Sequence, residues 1–137
     1  MIEFSRETYD DIVYHAYAGD DEEVCGVLAG EYGEDGSRVV GTHEAENAAE
    51  TPQIRYLIDP DDQFEIIERI EDDGLEVVGF YHSHPTGPTR PSETDLDRAT
   101  WPDRSYVICA LDGYPFLGSW RFRDDSGAFE QETVTVR

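Results

Sequence analysis

The sequence predicts an α/β fold, a mixed β-sheet flanked by helices, and two observations support this prediction. Segments with helical periodicity alternate with short apolar segments typical of buried strands, in the order helix, hairpin, helix, strand, helix and further strands. The chain of 137 residues is long enough for one core, and no repeat, linker or low-complexity segment divides it. We therefore expect residues 1–137 to form a single domain.

The first part of the chain predicts a helix and a β-hairpin. Ser5 can cap the helix, whose apolar residues fall on one face, and Gly19 ends it. Two apolar segments then lie on either side of turn residues 34–36. They predict strands over residues 24–30 and 38–44.

The middle of the chain predicts a connection followed by a second helix. Residues 45–58 show no clear period, although residues 54–58 can form a short edge strand. Asp59 and Pro60 supply the N-cap and the first-turn proline of a helix, and Gly74 closes it. The apolar residues that recur at helical spacing are Phe64, Ile67 and Ile70.

The last part of the chain predicts the rest of the sheet. The segment 75–81 is fully apolar at its centre, so we expect it to be a central strand. A proline-rich loop then leads into a short helix over residues 92–100. Three further strands, separated by turn residues, are predicted over residues 106–111, 116–123 and 129–136.

The charge of the chain is extreme. It has 32 acidic residues and ten basic residues, all of them arginine, and its net charge is -22. Such a surface repels phosphates and anionic membranes, so we expect neither nucleic acid nor a membrane as a partner. Two interpretations remain. The chain is either an ordinary acidic protein or one adapted to molar salt, where the Debye length falls to about 3 Å, and the absence of lysine favours the second, typical of halophilic archaea.

The sequence also predicts a soluble, cytoplasmic protein. No apolar run approaches the ~20 residues of a membrane-spanning helix, and the first residues lack the features of a signal peptide. The two cysteines, Cys25 and Cys109, form no metal-binding or redox motif. In a reducing cytoplasm they are expected to be buried small residues, although a disulfide between them remains open.

Two of the four histidines, His82 and His84, lie one residue apart just after the predicted central strand. Residues i and i+2 of a strand point to one face, about 7 Å apart at Cα, so these imidazoles can converge. Asp95 lies one turn inside the helix that begins at Ser92 and can face the strand end. Two imidazoles and one carboxylate form a three-ligand set for Zn²⁺ that leaves a fourth position for water, which is typical of catalytic sites.

Each of these features also has a simpler interpretation. Ser92 and Asp95 have the spacing of a capping box, and two histidines can form an exposed loop cluster without a metal. Hydrolysis further needs a general base outside the coordination shell of the metal. Glu22 and Glu23 stand at the entry to the predicted strand over residues 24–30, but in so acidic a chain composition does not choose between them.

Together these residues resemble the signature of the JAMM (MPN+) metalloproteases. That signature is a glutamate, then after a long gap His-Ser/Thr-His-Pro, then a serine and, three residues later, an aspartate. The chain carries these positions at Glu23, His82, His84, Ser92 and Asp95. The resemblance selects Glu23 over its neighbour, because the glutamate of the family precedes a hydrophobic-x-Gly pattern like the one that follows Glu23.

The resemblance implies a role for each position. His82, His84 and Asp95 would hold one Zn²⁺ per chain. Glu23 would activate a water molecule, and Ser92 would stabilise the oxyanion. Inactive relatives that serve as scaffolds lack these ligands. The implied fold is a single MPN/JAMM domain that is similar to the cytidine deaminases, whose own H-x-E and P-C-x-x-C motifs are absent from this chain.

The family's chemistry also implies a substrate class. Relatives cleave isopeptide bonds between the C-terminal glycine of a ubiquitin-like protein and a lysine. The halophilic composition favours small archaeal modifier proteins and their conjugates as the partners, as for haloarchaeal desampylases. Residues 54–58 would either pair with the extended modifier tail or be an ordinary connector. Two alternatives remain open, namely processing of a ubiquitin-like sulfur-carrier protein and modifier binding without catalysis.

Overall fold

The structure, a computed structural model, describes residues 1–113 and 116–137. The elements in chain order are β1 (Ile2–Phe4), α1 (Arg6–Ala18), β2 (Cys25–Glu31), β3 (Ser37–Ala45), α2 (Pro60–Asp72), β4 (Glu76–His84), α3 (Glu93–Arg98), β5 (Ser105–Ala110), β6 (Leu117–Arg123), β7 (Ala128–Glu132) and β8 (Val134–Val136). All three predicted helices are present close to their expected bounds. None of the helices in the described part of the chain has both the length and the apolar character needed to cross a bilayer.

Within the described residues, eight strands form one mixed sheet in the order β7-β6-β5-β4-β2-β3-β1-β8. β4 pairs with β2 in the antiparallel direction and with β5 in the parallel direction, and it is buried along almost its whole length. The predicted fold class, a mixed sheet flanked by helices, is confirmed. The strand that leads into the histidines is central, as its apolar sequence predicted.

Two hydrophobic cores lie on opposite faces of this sheet. Side chains alternate along β2, so that Leu28 packs in the core under α1, whereas Val27 and Ala29 pack in the core under α2. The buried residues of α1 include Ile12 and Ala16, which are four positions apart and therefore share one face. The Ser5 side chain accepts from Thr8 N at 3.1 Å and caps this helix, as predicted.

Helix α2 turns a different face to the sheet from the one its spacing suggested. Ile66 and Ile70 are buried and Ile67 is half-buried, whereas 65% of Phe64 is exposed. Successive helical residues turn by about 100°, so Phe64 points almost opposite to Ile66. The apolar spacing therefore predicted the helix but misplaced its buried face.

Residues 54–58 form a connector in place of the short edge strand that the sequence also allowed. The segment begins with a turn and ends at Ile58, which forms an isolated antiparallel bridge with Asn47. The Asn47 side chain binds two backbone groups of this segment. Its Nδ2 donates to Arg55 O at 3.0 Å, and its Oδ1 accepts from Leu57 N at 3.0 Å. Backbone pairing is short, with Ala48 N donating to Leu57 O at 2.7 Å and Asp59 N donating to Glu46 O at 3.1 Å, so the segment does not become a strand.

The last predicted strand, over residues 129–136, is divided in two. β7 ends at Glu132 and β8 begins at Val134, yet the two strands lie at opposite ends of the sheet order. A flat sheet of eight strands about 4.8 Å apart would separate its edges by roughly 30 Å, whereas one residue spans only about 3.5 Å. The sheet therefore curls until its edges meet at Thr133, whose carbonyl accepts from Ile2 N at 2.9 Å. β1 was not predicted, because three residues are too few to reveal a period.

Candidate active site

β4 continues to His84, beyond the expected end of the strand at Tyr81, and so carries both histidines in extended backbone. Ser83 holds this extension. Its backbone N donates to Val24 O at 3.0 Å, and its Oγ accepts from Val24 N at 2.9 Å. Because side chains alternate along a strand, Ser83 points to one face, and His82 and His84 point to the other. The Nε2 atoms of the two histidines lie 3.2 Å apart.

Asp95 meets these imidazoles from α3. A complete capping box fixes its position, because Ser92 N donates to Asp95 Oδ2 at 2.9 Å and Asp95 N donates to Ser92 Oγ at 3.1 Å. Asp95 Oδ2 lies 3.2 Å from His82 Nε2 and 3.5 Å from His84 Nε2. The helix cap thus brings a carboxylate oxygen against two ring nitrogens, and all three side chains are buried.

The hydrogen bond at the far side of the His84 ring sets its tautomer. His84 Nδ1 lies 2.9 Å from Pro88 O, which can only accept, so Nδ1 carries the proton. In the neutral ring, Nε2 then offers a lone pair towards His82 and Asp95, as in metal-binding histidines whose other nitrogen donates to a carbonyl. Burial lowers the pKa of His82 and favours its neutral ring, although Asp95 acts to raise it, whereas at His84 burial is outweighed by the hydrogen bonds with Asp95 and Pro88 O, which raise the pKa. Two nitrogens and one oxygen at this spacing fit Zn²⁺.

Glu23 lies on the other side of the histidines, just before β2. Two hydrogen bonds fix its backbone: Glu23 N donates to Pro52 O at 2.7 Å, and Asn47 Nδ2 donates to Glu23 O at 2.8 Å. A carboxylate oxygen of Glu23 and one ring nitrogen from each of His82 and His84 lie within 4.8 Å of one another. Among the described residues, Glu23 Oε1 has no hydrogen-bond partner although the side chain is only 6% exposed. Such an oxygen marks a place for a water molecule or a substrate group.

The two carboxyl groups beside the histidines differ in pKa. Burial would raise the pKa of Asp95, but the two histidines and a backbone N–H hold it well below its usual range. Burial raises the pKa of Glu23 to about 7, against the lowering effect of His84 and with a further rise from Asp95. Asp95 is therefore ionised and suited to a cation, whereas Glu23 can gain or lose a proton near neutral pH.

The structure gathers all five residues singled out in the sequence at one end of the central strand: Glu23, His82, His84, Ser92 and Asp95. Asp95 Oδ2 is close to both Nε2 atoms, which favours Asp95 as the third ligand and Glu23 as the base. Ser92 Oγ accepts within the capping box, so its O–H remains able to donate. Glu22 is exposed, unlike its neighbour Glu23.

Tyr56 and Asn47 also belong to this site. The sequence indicated Tyr56 only within the possible tail-binding segment 54–58 and did not indicate Asn47. The Tyr56 ring stacks on the His82 ring, with 4.2 Å between centroids and 21° between planes. Arg98 Nη1 donates to Tyr56 O at 2.9 Å and ties this segment to α3. Tyr56 and Asn47 both lie in segment 45–58, which has no clear period, and no local pattern there predicts contacts with residues that are distant in the sequence.

The two cysteines are core residues. Cys25 and Cys109 are buried and unpaired, so the disulfide that the sequence left open is not formed. Burial, with smaller effects from neighbouring acids, raises the pKa of Cys25 to about 12, and burial raises that of Cys109 to about 12. A thiol with so high a pKa is not a nucleophile at neutral pH.

The sequence is similar to that of known proteins along almost its whole length. Over residues 5–123 it matches the family described as prokaryotic homologs of the JAB domain. It is 41% identical over 136 residues to the desampylase of Haloferax volcanii, across 94% of this chain and 96% of that protein. It is 35% identical over 127 residues to the CysO-cysteine peptidase of Mycobacterium tuberculosis, across 91% of this chain and 84% of that protein.

Solved structures agree on the fold. A protein from Desulfitobacterium hafniense has a TM-score of 0.87 at 26% identity, covering 100% of this chain and 93% of its own. A JAB1/MPN domain protein from Archaeoglobus fulgidus has a TM-score of 0.60 at 18% identity, covering 100% and 97%. A structure described as a JAMM metalloprotease-like zinc site in the proteasome and signalosome has a TM-score of 0.62 at 17% identity, covering 100% and 98%. At such low identity, the last two are evidence for the fold alone.

Proposed function

The chain belongs to the family of prokaryotic homologs of the JAB domain, and on that premise we propose that it is a zinc-dependent isopeptidase. Its reaction would remove ubiquitin-like small archaeal modifier proteins from the lysine side chains of their conjugates. One observation carries the proposal. The ligand atoms of His82, His84 and Asp95 converge, and a buried carboxyl without a partner, Glu23, stands beside them.

The donor set fits one zinc ion per chain. His82 and His84 would each supply Nε2, and Asp95 would supply Oδ2, which makes three protein ligands of the kinds that catalytic zinc sites use. When bound there, zinc supplies the Lewis acidity that makes water nucleophilic at neutral pH and polarises a carbonyl. The Tyr56 ring would keep the His82 ring in its orientation by stacking on it.

The remaining residues would manage the protons and the developing charge. Glu23 would accept a proton from the attacking water as the C–O bond forms, and would then deliver it to the lysine amine as the C–N bond breaks. A carboxyl with a pKa of about 7 suits both steps. The Ser92 hydroxyl would donate to the oxyanion of the tetrahedral intermediate, since Ser92 Oγ accepts the cap bond and keeps its proton free.

The relatives support ubiquitin-like modifiers as substrates and leave two candidate bonds. The desampylase relative has the higher identity and the fuller coverage, and it favours an isopeptide bond to a lysine ε-amine. The CysO-cysteine peptidase relative favours the second candidate, cleavage of a C-terminal bond to an α-amine during processing of a sulfur-carrier protein. Modifier binding without catalysis is the weakest candidate, because a scaffold has no need for the complete ligand set and the buried Glu23.

A cleavage assay on two matched substrates tests the proposal. One substrate is an archaeal modifier joined through its Gly-Gly tail to a lysine ε-amine, and the other is the same modifier joined to the α-amine of a cysteine. We expect zinc-loaded protein to cleave the first substrate faster, and EDTA to stop the reaction. Faster cleavage of the second would replace the isopeptidase with the processing enzyme, and no cleavage of either would leave the binding role.

The working environment is part of the proposal. The net charge of -22 and the similarity to a Haloferax protein support a cytoplasm rich in salt. At about 10 mM salt the Debye length reaches about 30 Å, and unscreened repulsion should unfold so small a domain. Circular dichroism during a salt titration measures this, and a fold that is unchanged at low salt would remove the halophilic interpretation. We also propose that residues 1–137 act as one catalytic domain.

A further inference from the structure

Asn47 is the only asparagine of the chain, and it lies on the connection between β3 and α2, residues 46–59. Its side-chain Nδ2 donates to Glu23 O at 2.8 Å and to Arg55 O at 3.0 Å. Its Oδ1 accepts from Ala49 N at 3.0 Å and from Leu57 N at 3.0 Å. A primary amide has two N–H donors and two acceptor lone pairs, so these partners use its whole hydrogen-bonding capacity.

The partners of Asn47 require an amide at this position. Two carbonyl oxygens face Nδ2 and two backbone N–H groups face Oδ1, so the partners fix the orientation of the amide. An aspartate would place an acceptor against the carbonyls of Glu23 and Arg55, which can only accept. An apolar side chain would leave all four backbone groups without these bonds. Three of the bonds lie within the connection, and the fourth leaves it to reach Glu23.

The backbone of Glu23 depends on this connection for its position. Glu23 lies before β2, which begins at Cys25, so its backbone is outside the strand ladder. Its N donates to Pro52 O at 2.7 Å, and its O accepts from Asn47 Nδ2. Pro52 belongs to the same connection and lies between the residues whose backbone groups Asn47 binds. Both backbone groups of Glu23 are therefore held by a segment whose shape Asn47 fixes.

The carboxyl group of Glu23 depends in turn on its backbone. Within the described residues, Glu23 Oε1 has no hydrogen-bond partner that would hold it, although the side chain is buried. A carboxylate oxygen of Glu23 nevertheless lies within 4.8 Å of ring nitrogens of His82 and His84. Packing and the backbone set this position, so a shift of the backbone would move the carboxyl group away from the histidines. A misplacement of about 1 Å at a reacting group can cost about 10² in rate.

We infer that Asn47 is a positioning residue of the proposed reaction and that it keeps the Glu23 carboxyl group beside His82 and His84, where it can transfer protons. The inference rests on the proposed function, in which Glu23 is the general base. Asn47 also has a simpler role, closure of the connection, because three of its four bonds lie within that segment. The two roles differ in one consequence. A residue that acts through Glu23 matters to the reaction only while Glu23 is present.

A substitution of Asn47 in two backgrounds separates these roles. Asn47→Asp keeps the size of the side chain and an acceptor for Ala49 N and Leu57 N, but it removes the donor to Glu23 O. The matched control is Gln53→Glu, which makes the same change from amide to carboxylate at an exposed position of the connection. Both substitutions are made in wild type and in Glu23→Ala. Each protein is loaded with zinc, checked by metal analysis, and assayed at high salt on the lysine-linked and the cysteine-linked modifier substrates.

The expected loss of activity depends on the background. In wild type, Asn47→Asp should lower kcat about 10²-fold at unchanged KM and zinc content, because a misplaced carboxyl group impairs proton transfer and leaves substrate and metal binding intact. In Glu23→Ala, the same substitution should cause no further loss, since both changes remove one step. Gln53→Glu should keep the kcat of its background. An equal loss in both backgrounds, a loss of zinc, or a rise in KM at constant kcat would overturn the inference.

A measurement on the wild-type side chain tests the inference even if Asn47→Asp does not fold. Because the chain has one asparagine, labelling with ¹⁵N-asparagine gives a single side-chain amide in the NMR spectrum. Both Nδ2 protons should exchange with water at least about tenfold more slowly than those of free asparagine, because each donates to a carbonyl. Exchange of either proton at the rate of free asparagine would overturn the inference.

The same assays distinguish failure of this inference from failure of the proposed function. If wild type cleaves the lysine-linked substrate and Asn47→Asp cleaves it at the same rate, the role of Asn47 is wrong and the isopeptidase stands. If wild type cleaves only the cysteine-linked substrate, and Asn47→Asp shows the selective loss there, the isopeptidase is wrong and the role of Asn47 stands. If wild type cleaves neither substrate, both fall.

Discussion

The candidate active site and the pair formed by Arg121 and Glu132 are both buried polar clusters, but their hydrogen bonding differs. Arg121 is 2% exposed and donates to Glu132 Oε1 at 3.0 Å and to Ser37 Oγ at 3.1 Å. Glu132 Oε2 accepts from the hydroxyls of Ser105 at 2.6 Å and of Ser119 at 2.8 Å. The cationic side chain faces an anionic one, and each carboxylate oxygen of Glu132 has a donor.

In the active site, two ring nitrogens and two carboxyl groups meet, and among the described residues no arginine pairs with either carboxyl group. Two imidazole nitrogens and a carboxylate oxygen lie within 3.5 Å, and a second carboxylate oxygen has no partner in the described structure. Burial of polar groups is therefore no sign of function by itself, because the Arg121 cluster is equally buried and is complete. A site for a ligand is marked by polar atoms that the chain brings together and does not satisfy.

The largest effect should follow from removing one of the converging ligands. We expect His84→Ala to lose most of its zinc and all measurable activity, because only two protein ligands remain. Metal analysis of the purified variant measures this, with circular dichroism as the control for folding. Full zinc occupancy in His84→Ala would make the ligand assignment wrong.

Replacement of Glu23, whose Oε1 has no hydrogen-bond partner among the described residues, should separate the loss of proton transfer from the loss of metal binding. We expect Glu23→Ala to keep its zinc and to lose activity by about 10²–10⁴-fold, the usual contribution of a general acid or base. The matched control is Glu22→Ala, which changes an exposed neighbour of the same charge and should behave as wild type. Equal activity in the two variants would exclude Glu23 as the base.

Breaking the complete cluster should affect stability instead of catalysis. Arg121→Met removes one of the two cations beside Glu132 and leaves the Met1 amino group at 3.0 Å from Oε1, so we expect it to cost about 1–3 kcal/mol of unfolding free energy. The control, Arg123→Met, removes a partly exposed arginine with surface partners and should cost less than about 1 kcal/mol. Urea unfolding measures both. Zinc content should be unchanged in Arg121→Met, and its loss would mean that the two clusters are coupled.

The cluster of Arg121 and Glu132 should also make the stability of the fold depend on pH. Burial acts to raise the pKa of Glu132, but hydrogen bonds from Ser105 and Ser119 and the charge of Arg121 lower it. A lowered folded-state pKa adds stability above the unfolded value of about 4.3, and this stability is lost as the pH falls through the folded value. The melting temperature should therefore fall less between neutral pH and about pH 3 for Glu132→Gln than for wild type. An equal fall in the melting temperature of both proteins would show that Glu132 does not cause the pH dependence.

Local patterns predicted those parts of the molecule whose cause is local. The Ser5 cap and the apolar centre of β4 depend on neighbours in the sequence, and both predictions are confirmed. The division of the last strand at Thr133 follows from the curl of the whole sheet, which no local pattern contains. The same holds for residues 54–58, whose β-branched and apolar residues favoured a strand, whereas in the structure this segment is bound by the side chain of Asn47 and by a short backbone pairing with residues 46–48.

The candidate site likewise has residues that local patterns predicted and residues that they did not. The spacing of His82, His84 and Asp95 predicted that these side chains converge, because a strand and a helix cap fix their directions. Their roles remain predictions, although the geometry agrees with them. Tyr56 could not be predicted, since its contact with His82 joins a segment without periodicity to a strand 26 positions later, and neither residue indicates the other.

The meeting of the two sheet edges has a consequence for the folding rate. β1 pairs with β8, so Ile2 must find Val134 across almost the whole chain, whereas β2 and β3 are joined by a short turn. Contacts between residues so distant in sequence carry a large loop-closure entropy and slow the folding of small domains. We expect the β2–β3 hairpin and its pairing with β4 to form early and the seam at Thr133 to close late. The histidines of β4 would then be in place while the barrel-like sheet is still open.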